Sequence, residues 1–233
     1  MSSSVLTLPK VIRIEPASAC NLRCAHCPTG TVYMPRDVMS TDTFEKILDQ
    51  TISFDPNVIV LYHGGEPFLN SSVFDFIDTL KKSYPACFLK TVSNGVLLEK
   101  HTLDRIANSK LDQIEFSLDG TSILDSDQIR RGGNAKRVIA NVKYLLARIK
   151  SLQASSGSIN KYPSISISST QFYEPNDDES INPLGHSPSS PDWLVDALEN
   201  IDDFKVCWAM EWPRMKVQPG YHVKEYVDSS IHD

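Results

Sequence analysis

The strongest constraint on the fold of this chain is a regular alternation of strand-like and helix-like segments along its 233 residues. Apolar runs that end at turn residues predict six strands, at 11–19, 57–67, 87–95, 111–120, 163–172 and 204–212. Amphipathic stripes predict five helices between them, at 40–54, 71–85, 99–110, 135–152 and 190–202. Strands that alternate with helices pair in parallel through right-handed crossovers. The sequence therefore predicts an α/β fold, a partial (βα)6 TIM-like barrel with a parallel six-stranded sheet and outer helices.

The composition limits the number of domains and the classes of partner. With 41% hydrophobic and 22% charged residues, the chain can bury one sizeable core, which we expect over residues 1–213. The tail at 214–233 is too short for a further core, and we expect it to be truncated. A net charge of -6 and a pI near 5.5 argue against an extended basic surface for nucleic acid. No apolar stretch approaches the roughly 20 residues of a membrane span, so we expect a cytoplasmic protein that binds neither nucleic acid nor a membrane.

Polar and glycine-rich segments follow four of the predicted strands. They are the loop that begins at Cys20, His63-Gly64-Gly65-Glu66, Ser93-Asn94-Gly95 and Ser117-Leu118-Asp119-Gly120. The carboxyl ends of parallel strands meet at one edge of the sheet, which is where sites of parallel α/β folds lie. Strand termination explains any one of these turns, but four of them on the same rim indicate a site.

The first of these loops contains three of the five cysteines of the chain, Cys20, Cys24 and Cys27. In a reducing compartment, clustered thiols indicate metal binding or redox chemistry rather than disulfides. A structural zinc ion takes four ligands, usually in two separated pairs, and only the adjacent His26 is available to complete such a set. Soft thiolates also bind iron-sulfur clusters, and three of them leave one iron of a four-iron cubane without a protein ligand. The residues alone leave both kinds of site open and favour the cluster.

The segment CNLRCAHC, residues 20–27, resembles the CxxxCxxC signature of the radical S-adenosylmethionine (SAM) enzymes. GGEP at 64–67, SNG at 93–95, SLDG at 117–120 and RRGG at 130–133 follow in the order of that family, and the resemblance spans about residues 11–213. It implies that Cys20, Cys24 and Cys27 hold a [4Fe-4S] cluster. It also implies that the open iron binds the amino and carboxylate groups of SAM.

The same resemblance implies SAM contacts around the rim. Gly64 and Gly65 let backbone carbonyls approach a ligand, and Glu66 can accept a hydrogen bond from the methionine ammonium. Ser117 and Asn94 are implied to contact the ribose and the carboxylate of SAM, and Arg131 to pair with the carboxylate. His26 is implied to lie beside the adenine. Ser93 and Asp119 are further candidates for SAM contacts. Ser93 and Asp119 have a second interpretation as turn caps.

The resemblance implies a radical reaction. A donor such as flavodoxin or ferredoxin reduces the cluster, SAM is cleaved to methionine and a 5'-deoxyadenosyl radical, and the radical abstracts hydrogen from the substrate. The motif order is nearest to the branch that often adds a cysteine-rich SPASM or twitch domain, but only Cys87 and Cys207 remain for a second cluster.

We therefore expect a small-molecule substrate of the sugar or nucleoside type, or a peptide side chain. Glu211, near the rim end of the sixth strand, is the candidate catalytic residue. The alternative is a non-catalytic iron-sulfur or zinc-binding protein that retains the fold.

Overall fold

A computed structural model describes residues 8–156, 161–172 and 190–209 of the chain. Within these ranges six strands form one sheet in sequential order, and all five neighbouring pairs are parallel. The strands are β1 (Val11–Arg13), β2 (Val58–Val60), β3 (Phe88–Ser93), β4 (Gln113–Ser117), β5 (Ser164–Gln171) and β6 (Asp203–Trp208). The sheet curls into an open half-barrel, which confirms the predicted partial TIM-like barrel.

Helices connect the strands and cover the outer face of the sheet. They are α1 (Pro28–Thr31), α2 (Thr41–Thr51), α3 (Val73–Ser83), α4 (Lys100–Ala107), α5 (Ile123–Ile129), α6 (Ala135–Ser156) and α7 (Asp192–Ala197). A short 3-10 helix, Pro67–Leu69, follows β2. The five predicted helices correspond to α2, α3, α4, α6 and α7, whereas α1 and α5 were not predicted.

The outer face of the sheet carries apolar side chains, and the helices pack on it. Ile59, Leu89 and Ile114 are at most 1% exposed, and they belong to one continuous hydrophobic core. In the same core Phe44 of α2 stacks on Phe76 of α3, with ring centroids 4.0 Å apart. Full burial of one such side chain stabilises the fold by about 1.5–3 kcal/mol. This layer therefore holds the helices, and with them the loops at the strand ends, against the sheet.

The inner face of the second half of the sheet is polar. Two rows of paired residues cross β4, β5 and β6, namely Glu115, Ser166 and Asp203, and then, nearer to the carboxyl ends, Ser117, Ser168 and Lys205. Lys90 of β3 pairs with the 5% exposed Glu115, and Nζ lies 2.5 Å from Oε2. The half-barrel thus presents hydroxyl groups and an ion pair toward its interior on this side.

The helix α5 begins at an N-terminal cap, but the helix is too short to be recognised from the sequence. The Ser122 side chain accepts a hydrogen bond from the Asp125 amide at 3.1 Å, which satisfies one of the free N–H groups of the first turn. The helix has seven residues and is rich in Ser and Asp, so it has no long apolar stripe. It ends directly before Arg130 and therefore decides where that side chain points.

Two predictions lie outside the described residues, the role of Glu211 and the boundary between a core at 1–213 and a tail at 214–233. Of the predicted sixth strand, residues 203–208 are described as β6. Cys207 of this strand is exposed, and its Sγ lies 3.8 Å from the Thr170 Oγ1. Among the described helices, none has the length and apolar character that crossing a membrane requires.

Candidate active site

The cysteine loop follows β1 at the carboxyl edge of the sheet and is held by backbone hydrogen bonds. The Cys27 amide donates to the Cys24 carbonyl at 3.3 Å, and Cys27 is the residue that precedes α1. The amides of Arg23 and Ala25 donate to the carbonyls of Arg131 and Ile129 at 3.0 and 2.9 Å. The loop is therefore fixed to the C-terminal end of α5 and the residues that follow it, far along the chain.

The thiols are costly to ionise in the absence of a cation. Burial raises the pKa of Cys24 to about 12 and also raises the pKa of Cys20. Negative charge at Cys27 contributes to both increases in pKa, and the Arg130 guanidinium opposes them. The three sulfur groups thus lie close enough to interact electrostatically, and a bound metal would supply the positive charge that the thiolates need.

Three thiols on one loop form a donor set whose chemistry suits an iron-sulfur cluster. In the part of the chain that the structure describes, no group of three or more His, Cys, Asp or Glu side chains converges closely enough to hold one metal ion. A [4Fe-4S] cluster binds each thiolate to a different iron, so three protein ligands of a cluster need not meet at one point.

The glycine turn after β2 packs against the start of the cysteine loop. The Glu66 amide donates to the Ala19 carbonyl at 2.8 Å, next to Cys20. The Gly64 amide donates to Glu15 Oε1 at 2.6 Å, and the Gly64 carbonyl accepts from Thr29 Oγ1 at 2.8 Å. Both polar groups of Gly64 are thus bonded within the protein, and the turn acts as a spacer between β1 and the cysteine loop.

The Glu66 carboxylate joins the ends of β2 and β3. It is 2% exposed. Its Oε1 accepts hydrogen bonds from the Phe68 amide at 3.2 Å and from Ser93 Oγ at 2.9 Å, and its Oε2 accepts one from the Asn94 amide at 2.8 Å. Burial raises the pKa of Glu66, and these hydrogen bonds and Arg130 oppose the increase. Oε2 accepts a single hydrogen bond, so it has acceptor capacity left.

A buried ion pair lies on the other side of the cysteine loop. Arg130 Nη1 is 2.5 Å from Asp119 Oδ2, and the two side chains are 12% and 1% exposed. The Thr170 amide donates to Asp119 Oδ1 at 2.8 Å. Burial opposes ionisation of Asp119 and by itself would raise its pKa. The charges of Arg130 and His26 and the hydrogen bond from the Thr170 amide outweigh burial, so the pKa of Asp119 is lowered.

The site contains Arg130 where the sequence predicted Arg131. Arg131 is exposed, and its backbone carbonyl is the part that contacts the cysteine loop. The reason is the unpredicted helix α5, because Arg130 is its C-terminal cap and points to Asp119. The signal that was available is the Ser122 cap three residues before Asp125.

His26 belongs to the cysteine loop, and Ser117 is the last residue of β4. His26 Nε2 lies 3.7 Å from Asp119 Oδ2, and its ring meets the edge of Phe172 at 6.0 Å between centroids. The buried Nδ1 of His26 has no hydrogen-bond partner within the described ranges. Burial lowers the pKa of His26, and Asp119 partly offsets that effect. Ser117 Oγ lies 3.3 Å from Ser168 Oγ on the inner face of the sheet.

The sequence-predicted residues therefore fall into three groups. Those at the rim around the cysteine loop are Cys20, Cys24, Cys27, His26, Gly64, Gly65, Glu66, Ser93, Asn94, Ser117 and Asp119. Arg131 is on the surface, and Glu211 is outside the described residues. Residues that the sequence did not indicate are Glu15, Thr29 and Arg130, since their roles depend on contacts between distant segments.

Replacement of Asp119 by Asn is expected to destabilise the protein by about 3–5 kcal/mol. Arg130 would remain buried without its counter-ion, while the Asn amide oxygen still accepts from Thr170. Urea unfolding measures the change. The matched control is Asp78→Asn, which breaks the exposed pair with Lys110 and should cost no more than about 1 kcal/mol. Equal losses in the two variants would contradict this account of the pair.

The same pair predicts a pH dependence. Because the pKa of Asp119 is lowered by folding, its contribution is fully present above the unfolded-state pKa of about 3.9 and is lost as the pH falls through the lower folded-state value. Wild-type stability should therefore fall in this acid range more steeply than the stability of Asp119→Asn.

Comparison with known proteins identifies the family of this chain. Residues 14–161 match the Radical SAM superfamily. AdoMet-dependent heme synthase from Methanosarcina barkeri is 27% identical over 59% of this chain and 39% of its own length. A probable GTP 3',8-cyclase from Methanococcus maripaludis is 31% identical over 54% of this chain and 42% of its own length. The chain thus spans about two fifths of the length of these curated relatives.

Solved structures show the same fold. SuiB from Streptococcus suis bound to S-adenosylmethionine aligns with a TM-score of 0.65 and 20% identity over 95% of this chain and 44% of that one. The anSMEcpe structure with bound AdoMet aligns with a TM-score of 0.54 and 17% identity over 70% of this chain and 43% of that one. The family match covers more than half of the sequence, with the cysteine loop inside it. The chain belongs to the radical SAM superfamily of enzymes.

Proposed function

We propose that Cys20, Cys24 and Cys27 hold a [4Fe-4S] cluster and that the chain cleaves SAM reductively to abstract hydrogen from a substrate in the half-barrel. Family membership implies both the cluster and SAM. When bound, the cluster supplies the electron that cleaves SAM. The observation that carries the proposal is the placement of three interacting thiols on one loop beside a buried carboxylate and a buried arginine.

The remaining capacity of two charged groups suits the methionine part of SAM. Glu66 Oε2 accepts one hydrogen bond within the protein, and we assign its further acceptor position to the SAM ammonium. Arg130 uses one N–H group for Asp119, and a guanidinium has five. Its other N–H groups are the proposed partners of the SAM carboxylate, the role first expected of Arg131. We propose that the His26 ring lies beside the adenine and that Ser117 contacts the ribose.

The polar inner face supports a substrate that forms several hydrogen bonds. Ser117 and Ser168 present hydroxyl groups, and the Lys90–Glu115 pair adds a donor and an acceptor without net charge. A buried polar group that loses its water needs a partner, so an apolar substrate is disfavoured on this wall. We propose a small hydroxylated molecule of the sugar or nucleoside type, or a polar peptide side chain. Glu211 remains the proposed substrate-binding or proton-transferring residue.

The proposed reaction also requires a one-electron donor, and flavodoxin or ferredoxin has the required chemistry. A reducing cytoplasmic setting keeps the thiols available for iron. We therefore propose a cytoplasmic location as well.

Anaerobic reconstitution followed by a cleavage assay tests the proposal. Protein loaded with iron and sulfide is incubated with SAM and dithionite, and 5'-deoxyadenosine is measured by chromatography. We expect the amount of 5'-deoxyadenosine to rise when a suitable nucleoside or sugar is present. A purely apolar peptide should not raise it. Cluster formation without 5'-deoxyadenosine under all of these conditions would favour the non-catalytic iron-sulfur alternative, and a zinc-loaded protein without iron would favour the zinc alternative.

A further inference from the structure

We propose that Asn94 is a positioning residue of the cluster, which sets the reduction potential through an N–H group directed at Cys20, and that it is not a SAM ligand. The inference rests on the proposed cluster. It changes the role that the sequence assigned to Asn94, which was a contact to SAM. The argument depends on how each polar atom of this side chain is used.

Both polar atoms of the Asn94 side-chain amide have partners within the protein. Its Nδ2 donates to Asn21 Oδ1 at 2.9 Å and also lies 3.9 Å from Cys20 Sγ. Its Oδ1 accepts from the Val96 amide at 3.0 Å. An amide nitrogen has two N–H groups, which matches its two contacts, and the amide oxygen keeps one acceptor position.

The backbone around Asn94 is fixed as firmly as its side chain. The Asn94 amide donates to Glu66 Oε2 at 2.8 Å, and the residue is 6% exposed. A contact from Nδ2 to SAM would require the loss of its hydrogen bond to Asn21 or of its approach to Cys20. The geometry instead directs this amide at the cysteine loop.

Hydrogen-bond donors converge on one of the three proposed cluster ligands. Cys20 Sγ has the Leu22 amide at 3.4 Å in addition to Asn94 Nδ2 at 3.9 Å. Across the described residues, neither Cys24 nor Cys27 accepts a hydrogen bond at sulfur. The corner of the cluster at Cys20 is therefore electrostatically different from the other two.

This asymmetry has a predictable effect on the cluster. A thiolate accepts a stronger hydrogen bond than a thiol, because the acceptor is charged. Reduction adds an electron and increases the negative charge at the sulfur atoms, so an N–H donor stabilises the reduced state more than the oxidised state. Hydrogen bonds to the sulfur atoms are among the factors that set iron-sulfur potentials. Asn94 should therefore raise the potential of the cluster.

The test is a redox titration of the reconstituted cluster without SAM, followed by electron paramagnetic resonance. Asn94→Ala removes the donor, and we expect the midpoint potential to become more negative by up to about 59 mV, a tenfold change in a one-electron equilibrium. Asn94→Asp has the same shape but places an acceptor beside the sulfur, so it should shift the potential further in the same direction. The control Asn108→Asp makes the same change in charge at the exposed end of α4 and should leave the potential unchanged.

Each outcome decides between the inference and its alternatives. An unchanged potential in Asn94→Ala together with weaker SAM binding would make Asn94 a SAM ligand and overturn the inference. If Asn94→Ala takes up no cluster, thermal unfolding of the metal-free protein decides: an intact fold supports a role in holding Cys20, and an unfolded protein overturns it. Failure of the wild-type protein to form a cluster would instead contradict the proposed function.

Discussion

Cys24→Ala is expected to abolish the iron-sulfur absorbance of the reconstituted protein. Cys24 is 8% exposed and lies between the other two cysteines of the loop. Two thiolates cannot replace three at the corners of one cluster, and water cannot easily reach a buried corner. We expect the metal-free variant to remain folded, with a loss near 1 kcal/mol that is typical of a point substitution. Visible absorption and iron analysis measure the loss of the cluster.

The matched control for this substitution is Cys87→Ala. Cys87 is 3% exposed, belongs to the hydrophobic core and directly precedes β3, at the end of the sheet opposite to the cysteine loop. Its removal should leave the absorbance and the iron content intact, because this thiol fills space in the core. Retention of the cluster in Cys24→Ala and its loss in Cys87→Ala would contradict the assignment of ligands.

Gly65→Ala should disrupt the packing of the site, with a loss of about 3 kcal/mol in the free energy of unfolding. A Cβ atom at Gly65 would lie 2.0 Å from the Ala17 carbonyl oxygen and 2.5 Å from that of Ala19. Both are backbone atoms of the segment that leads into Cys20, so the clash cannot be relieved by a side-chain rotation. The loops must separate, and cluster uptake should fall with stability. Urea unfolding of the metal-free protein and iron analysis measure the two effects.

The neighbouring glycine provides the control. A Cβ atom at Gly64 would lie 3.2 Å from Glu15 Oε1 and 3.4 Å from Thr29 Oγ1, and both are side-chain atoms that can move by a few tenths of an ångström. Gly64→Ala should therefore cost less than about 1 kcal/mol. Similar losses of stability in Gly64→Ala and Gly65→Ala would contradict the explanation that position 65 requires a glycine because the turn lies so close to Ala17.

Much of the fold follows from local patterns in the sequence. The apolar segments around Ile59, Leu89 and Ile114 end at turn residues, and the amphipathic segments between them form helices on one side of the sheet. The strands β1 and β2 are shorter than predicted, with three residues each. The residues that follow them, such as Glu15 and Gly64, bond to one another in rim loops, and such contacts leave no periodic signal.

The site was less completely predictable, because charges are paired across distant segments. The motif that contains Cys20 is local, and so is the glycine turn before Glu66. The choice between Arg130 and Arg131 depends on the exact end of α5, and helix ends are poorly defined by sequence. The amide of Asn94 faces Asn21 and Cys20 because β3 ends beside the cysteine loop, which only the folded sheet establishes.

The central claim is that three thiolates of this chain hold a four-iron cluster with one iron free for SAM. The most direct measurement is iron and sulfide analysis of the anaerobically reconstituted protein, combined with electron paramagnetic resonance of the reduced cluster before and after addition of SAM. The account predicts about four irons and four sulfides per chain and a signal that changes when SAM is added, since one iron has no protein thiolate. A single metal ion per chain, or a four-iron signal that SAM does not change, would contradict it.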